Sequence, residues 1–184
     1  TQAKLYATVG STVVDAIKDT AKPLAQLTVY TDGVSESIAS NFVIGEKNSQ
    51  AIPGTGNASV TEVYVDTDTN AVKLVTINTY VVQATDDYSA KKESVTVSNV
   101  GEGTIATSSL TLKAKDFAVT DVKEDDYLLV TVANGEIKSV KPATIVTGTV
   151  STFDSGKSVT IDGTKYNTNC RFVLGKDAAM NIKN

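Results

Sequence analysis

The stretch from Tyr127 to Val140 constrains the possible folds more than any other. An alternating apolar run, Tyr127–Val132, leads through Ala133 to Asn134-Gly135, and a second run, Glu136–Val140, follows. Asn-Gly between two such runs is the strongest short-range signal for a two-residue β-hairpin. Both central residues of a type I′ turn take positive φ, which Asn and Gly tolerate. Composition extends the signal to the whole sequence. The 184 residues include 25 Val and 26 Thr, more than a quarter of the total. Both types branch at Cβ and suit a pleated, half-buried surface better than a helix. Pro23, Pro53 and Pro142 are the three prolines, so long ladders are permitted.

Further strands follow from the same reading. Leu27–Thr31 alternates and is closed by Asp32-Gly33, a pair with turn chemistry. Thr61–Val65 reads as a strand, Asp66–Asn70 as a polar turn, Ala71–Ile77 as the returning strand, and Thr79–Ala84 as the next. Ser94–Val97 alternates again. Ile145–Thr152, a Ser155-Gly156 turn, Ser158–Ile161, Asp162-Gly163 and Thr164–Asn167 read as a three-stranded meander. Residues 1–26 are the least β-like part. Val13, Val14 and Ile17 could form one face of a short helix over Thr12–Ala21, capped by Ser11 or Thr12 and ended by Pro23. Val-Val is equally at home in a strand. Gly45–Ser59, with three glycines and a proline, reads as a long loop and as the best candidate for recognition in the first half.

An internal match supports a modular arrangement. Val63–Val81 lies over Leu128–Val146 without a gap, at an offset of 65 residues. Val65 meets Val130, Lys73 meets Lys138, Val75 meets Val140, and the turns coincide at Asn70 and Gly135. With one deletion, Ser94–Val97 falls on Ser158–Ile161. The expected fold is all-β, with tandem small β-barrel or sandwich-like modules of about 65 residues, the size of a minimal five-stranded barrel, and at most a short N-terminal helix. A divergent module would occupy 1–78, a small barrel 79–142, and a partial third module 143–184.

Absences narrow the chemistry. There is no histidine, which excludes Ser-His-Asp and Cys-His catalysis and the usual zinc sites. There is no tryptophan, and the 7 Tyr and 4 Phe supply a sugar-stacking or base-stacking platform poorly. The formal charge is −4, and Arg171 is the single arginine, so the sequence lacks the basic, arginine-bearing patches of nucleic-acid readers. No apolar run approaches the roughly 20 residues that span a bilayer. The sequence starts at Thr1 without a signal-peptide pattern, as a processed piece of a longer protein would, with its signal and anchor elsewhere.

The candidate sites are therefore weighed against plain structural roles. Asp66-Thr67-Asp68-Thr69-Asn70 opens like a calcium loop, but the sixth and twelfth positions, which an EF-hand fills with Gly and Glu, are Ala71 and Ile77. A turn whose Asp and Asn side chains bond nearby amides is expected, with weak divalent-cation binding at most. Glu124-Asp125-Asp126 and Asp86-Asp87 are carboxylate groups of the kind glycoside hydrolysis uses. They lie near lysines, and a solvated face is expected. Gly54-Thr55-Gly56 and Gly101-Glu102-Gly103 lack the helix start that phosphate binding needs and read as turns. Cys170 stands alone. Arg171 could lower its pKa, but no histidine can serve as its base, so a buried small hydrophobe is expected.

Two runs carry a resemblance. Asp125–Tyr166 (DDYLLVTVANGEIKSVKPATIVTGTVSTFDSGKSVTIDGTKY) and Val63–Gln83 (VYVDTDTNAVKLVTINTYVVQ) resemble the β-rich region that follows the S-layer homology domains of large Firmicute S-layer-type cell-surface proteins. The likeness covers most of residues 60–166 and rests on hairpin patterns, not on catalytic signatures. No S-layer homology domain is present here, so the wall-binding activity of that family maps onto no residue of this sequence. The resemblance implies a structural module of a Gram-positive cell-surface protein, located extracellularly in the cell wall or S-layer. Its partners would be other copies or other domains of the same surface protein. The alternative is an adhesin or carbohydrate-binding module working through surface loops, the 45–59 loop first. No catalytic, cofactor-binding or metal residue is assigned, no cofactor is expected, and neither nucleic acid nor a membrane span is expected as a partner.

Overall fold

A computed structural model describes residues 4–8, 26–37, 59–66, 68–69, 71–100, 105, 107–154 and 158–167. They form twelve strands and no helix. The protein divides into two compact units, Thr1–Asn78 and Thr79–Asn184.

The first unit contains β1 (Lys4–Thr8), β2 (Gln26–Thr31), β3 (Val34–Ser37), β4 (Ser59–Asp66) and the first half of β5 (Ala71–Ala84), in the order β1-β4-β5-β2-β3. All neighbours are antiparallel except β2 and β5, which run parallel. Register aligns the buried positions across strands. Val63 lies opposite Leu74, which lies opposite Val29, and all three are at most 4% exposed. One row along, Thr61 faces Thr76, both buried, with their hydroxyls 3.0 Å apart. Two threonines paired in this way satisfy each other and still present methyl groups to the interior.

The second unit takes β5 from Thr79 onward and adds β6 (Ser94–Asn99), β7 (Thr111–Lys113), β8 (Tyr127–Ala133) and β9 (Glu136–Pro142). These five run antiparallel in the order β7-β6-β5-β8-β9. Alternation places Tyr80, Val82 and Ala84 of β5, Val95 and Val97 of β6, Leu112 of β7 and Leu128, Val130 and Val132 of β8 in one buried cluster. Ile105, between β6 and β7, and Val119 and Val122, between β7 and β8, complete it. The sheet curls. The segment leading into β7 reaches the β8–β9 turn, where the Gly135 carbonyl accepts from Ser108 N at 2.9 Å and Thr107 Oγ1 at 3.0 Å. These bonds join the two ends of the strand order. A five-stranded, barrel-like module is the result. A separate three-stranded antiparallel sheet follows, from β10 (Val150–Asp154), β11 (Ser158–Ile161) and β12 (Thr164–Asn167).

The Asn134-Gly135 turn has the backbone its sequence requires, with φ of 52° and 75°. A β-branched side chain is strained there, so Gly135→Val is expected to lower stability by about 1–2 kcal/mol. An unchanged melting temperature would contradict this.

Several expectations need correction. Residues 1–26 contain a strand, β1, that composition does not mark; the ladder offered by β4 recruits it, Lys4 against Val65 and Thr8 against Glu62. The helix expected over Thr12–Ala21 lies outside the described residues, as do Gly45–Ala58. Ser59, read as the end of that loop, is the buried first residue of β4. Ala71–Ile77 and Thr79–Ala84 are one fourteen-residue strand, because Asn78 continues the buried alternation instead of breaking it. No strand covers Ile145–Thr149. Ile145 and Val146 are 60% and 42% exposed, so nothing buries that run, and the strand begins at Val150. The short strands β3 and β7 hold too few residues to show an alternation of their own.

The internal match is between hairpins, not between their neighbourhoods. Over Ala71–Thr76, β5 is flanked by β4 and by parallel β2, whereas β9 pairs with β8 alone among the described strands. Tyr88, which the same 65-residue offset places over Phe153 of β10, lies outside any strand. Alternating Val and Thr around a tight turn are enough to align two hairpins in sequence.

Candidate functional site

The acidic clusters are the residues closest to chemistry, and they converge at one end of the second unit. Asp86 and Asp87 follow β5; Lys123 to Asp126 precede β8. Asp86 Oδ1 accepts from Thr96 N at 3.2 Å. Asp87 Oδ1 accepts from Glu124 N at 3.0 Å, and its Oδ2 lies 3.7 Å from Lys123 Nζ. Asp126 Oδ2 accepts from Lys123 N at 2.8 Å. Asp125, at φ 70°, accepts from Gln83 Nε2 at 3.0 Å. Asp86, Asp87, Glu124, Asp125 and Asp126 are all exposed. The four aspartates each hold a turn amide or a neighbouring side chain, the use to which Asp is put in loops. No carboxylate pair of this cluster is buried.

At the turn that opens like a calcium loop, Asp66 bonds a nearby amide, the role expected of it. Asp66 Oδ1 accepts from Asp68 N at 3.0 Å, and Asp68 and Thr69 are exposed; Thr67 and Asn70 lie outside the described residues. That amide bond is the main reason the Asp66 carboxyl is held below its usual value, with further help from Thr69. Glu136 is lowered as well, chiefly by its hydrogen bond from Lys138 Nζ at 2.6 Å. The phenol of Tyr64 is raised, first by its hydrogen bond to Glu62 Oε2 at 2.7 Å. Among the described residues no three His, Cys, Asp or Glu side chains converge on a point where a metal ion would sit.

These directions set a pH dependence. A carboxyl whose folded pKa is depressed stabilises the fold above the ordinary carboxylate range, and that contribution is lost as pH falls through the folded value. Stability measured by urea unfolding should therefore decline on acidification below that range. The decline should be shallower in Asp66→Asn/Glu136→Gln. An equally steep decline in the double variant would contradict these assignments.

One polar constellation has no counterpart in the sequence reading. In the first unit Asn78 is 1% exposed. Its Oδ1 accepts from Ser59 Oγ at 2.6 Å, its Nδ2 donates to Asp32 Oδ2 at 3.1 Å, and its backbone N–H donates to Asp32 Oδ1 at 2.8 Å. Asp32 N donates in turn to Thr76 O at 2.9 Å. The β2–β5 ladder ends at Thr31 opposite Thr76, and the Asp32 side chain extends it by one more bond. The available signal is an asparagine on the buried parity of an apolar strand, after Val72, Leu74 and Thr76. Each side chain in this group has a partner within it, and the arrangement reads as a structural plug.

Gly54-Thr55-Gly56, Gly101-Glu102-Gly103, Cys170 and Arg171 lie outside the described residues. Compared with family models, curated proteins and solved structures, the sequence and its fold match none.

Proposed function

We propose that this protein is a structural module of a bacterial cell-surface protein of the S-layer type, without chemistry of its own. It would act outside the cell, in the wall or surface layer of a Gram-positive organism, through fold stability and lateral contacts with other copies or domains of the same protein. The observation that carries the reading is the use of its acidic side chains. Asp86, Asp87 and Asp126 bond backbone amides, Asp125 bonds Gln83, and Asp32 bonds Asn78. Polar groups so committed serve the backbone, while the apolar residues form two valine-rich interiors. The hairpin patterns of Val63–Gln83 and Asp125–Tyr166, which resemble the body of such surface proteins, support the same reading.

Sedimentation velocity over a concentration series, with and without divalent cations, tests it. The expected result is reversible self-association that divalent cations strengthen. A protein that stays monomeric throughout and binds defined glycans on an array would be an adhesin or carbohydrate-binding module instead.

A further inference from the structure

Three two-residue turns share one backbone form. Asp32-Gly33, Asn134-Gly135 and Asp162-Gly163 have φ of 49° and 78°, 52° and 75°, and 46° and 79°. Their side chains differ. The Asp32 carboxylate is bonded by Asn78 at both oxygens, and Asp162 Oδ1 accepts from Thr149 N at 2.9 Å. Asn134 is exposed, and its amide has no hydrogen-bond partner among the described residues. The residue after it is glycine, with no Cβ to obstruct approach to the peptide nitrogen. The hairpin closes on the pair Ala133–Glu136, which leaves the Gly135 N–H outside the ladder.

We propose that Asn134 is a site of spontaneous covalent modification, converted to isoaspartate through a succinimide formed with Gly135. The Gly135 nitrogen attacks Cγ of Asn134 and forms the ring C–N bond. The bond from Cγ to Nδ2 breaks, and the Gly135 amide proton leaves with Nδ2 as ammonia. Water then opens the imide at one of its two carbonyls, giving aspartate or isoaspartate; nothing is oxidised or reduced. An ionised carboxylate resists the same attack because it already carries negative charge. The chemistry therefore selects 134 over 32 and 162, where the carboxylates are also pinned.

The position gives the modification a consequence. Isoaspartate routes the backbone through Cβ and Cγ and adds one atom to a two-residue turn. The Gly135 carbonyl that receives Thr107 and Ser108 is then displaced, and the bonds joining the two ends of the curled sheet are lost.

The test incubates the purified protein at mildly alkaline pH, maps isoaspartate by peptide mass spectrometry and follows amide exchange at Ser108. Asn134→Gly, which keeps a residue tolerant of positive φ, is the control. Isoaspartate should accumulate at 134 ahead of 32 and 162. Ser108 should lose protection in the converted fraction and keep it in the Asn134→Gly protein. The proposal is overturned if 134 stays intact while a free peptide of the same sequence converts, if 32 or 162 converts as fast, or if converted protein keeps Ser108 protected.

Discussion

Replacing Asp32 with alanine is expected to lower the unfolding free energy by about 3 kcal/mol, measured by urea denaturation. The carboxylate holds two donors of Asn78, its backbone N–H and its side-chain amide, and Asn78 is 1% exposed. Without it both donors are left buried, and each such loss costs about 1–3 kcal/mol. Alanine also sits poorly at φ 49°, where Asp is tolerated. Asp32→Asn separates the effects. It keeps the turn and one acceptor oxygen, but sets its own NH₂ against that of Asn78, so a loss of roughly 1 kcal/mol is expected. Equal stability of the alanine variant and the wild type would mean that Asp32 does not extend the β2–β5 ladder.

Leu112→Ala should be at least as damaging, at about 3–4 kcal/mol. Leu112 is fully buried and is the middle residue of β7, a strand of three residues whose other two, Thr111 and Lys113, are exposed. Its side chain is thus the main apolar anchor of that strand in the barrel-like module. Truncation leaves a cavity in the buried cluster that Leu112 shares with Val95, its register partner, and cavity formation adds to the lost transfer energy. Amide exchange should show the β6–β7 ladder losing protection before β8–β9. A uniform loss of protection across the sheet would instead indicate that the module opens only as a whole.

The fold class is legible in the sequence because it depends on local rules. Asn134-Gly135 and Asp162-Gly163 encode positive φ directly, and their hairpins lie where the alternation puts them. Long-range choices are not legible. Lys4–Thr8 becomes a strand only because β4 offers an open edge, and the parallel pairing of β2 with β5 leaves no mark on either strand. Ile145 and Val146 show the opposite failure, since strand-like residues stay outside any strand where nothing covers them. Of the polar sites, the amide-binding role of Asp66 follows from turn chemistry. The Asp32–Asn78–Ser59 group joins residues far apart in sequence, and only the assembled sheet brings them together.

The most direct test of the structural-module reading is electron microscopy of the purified protein, concentrated in the presence of divalent cations. The account predicts ordered sheets or filaments with a regular repeat, dispersed when the cations are chelated. Particles that stay single at every concentration, together with turnover of a substrate abolished by one Asp or Glu substitution, would contradict it.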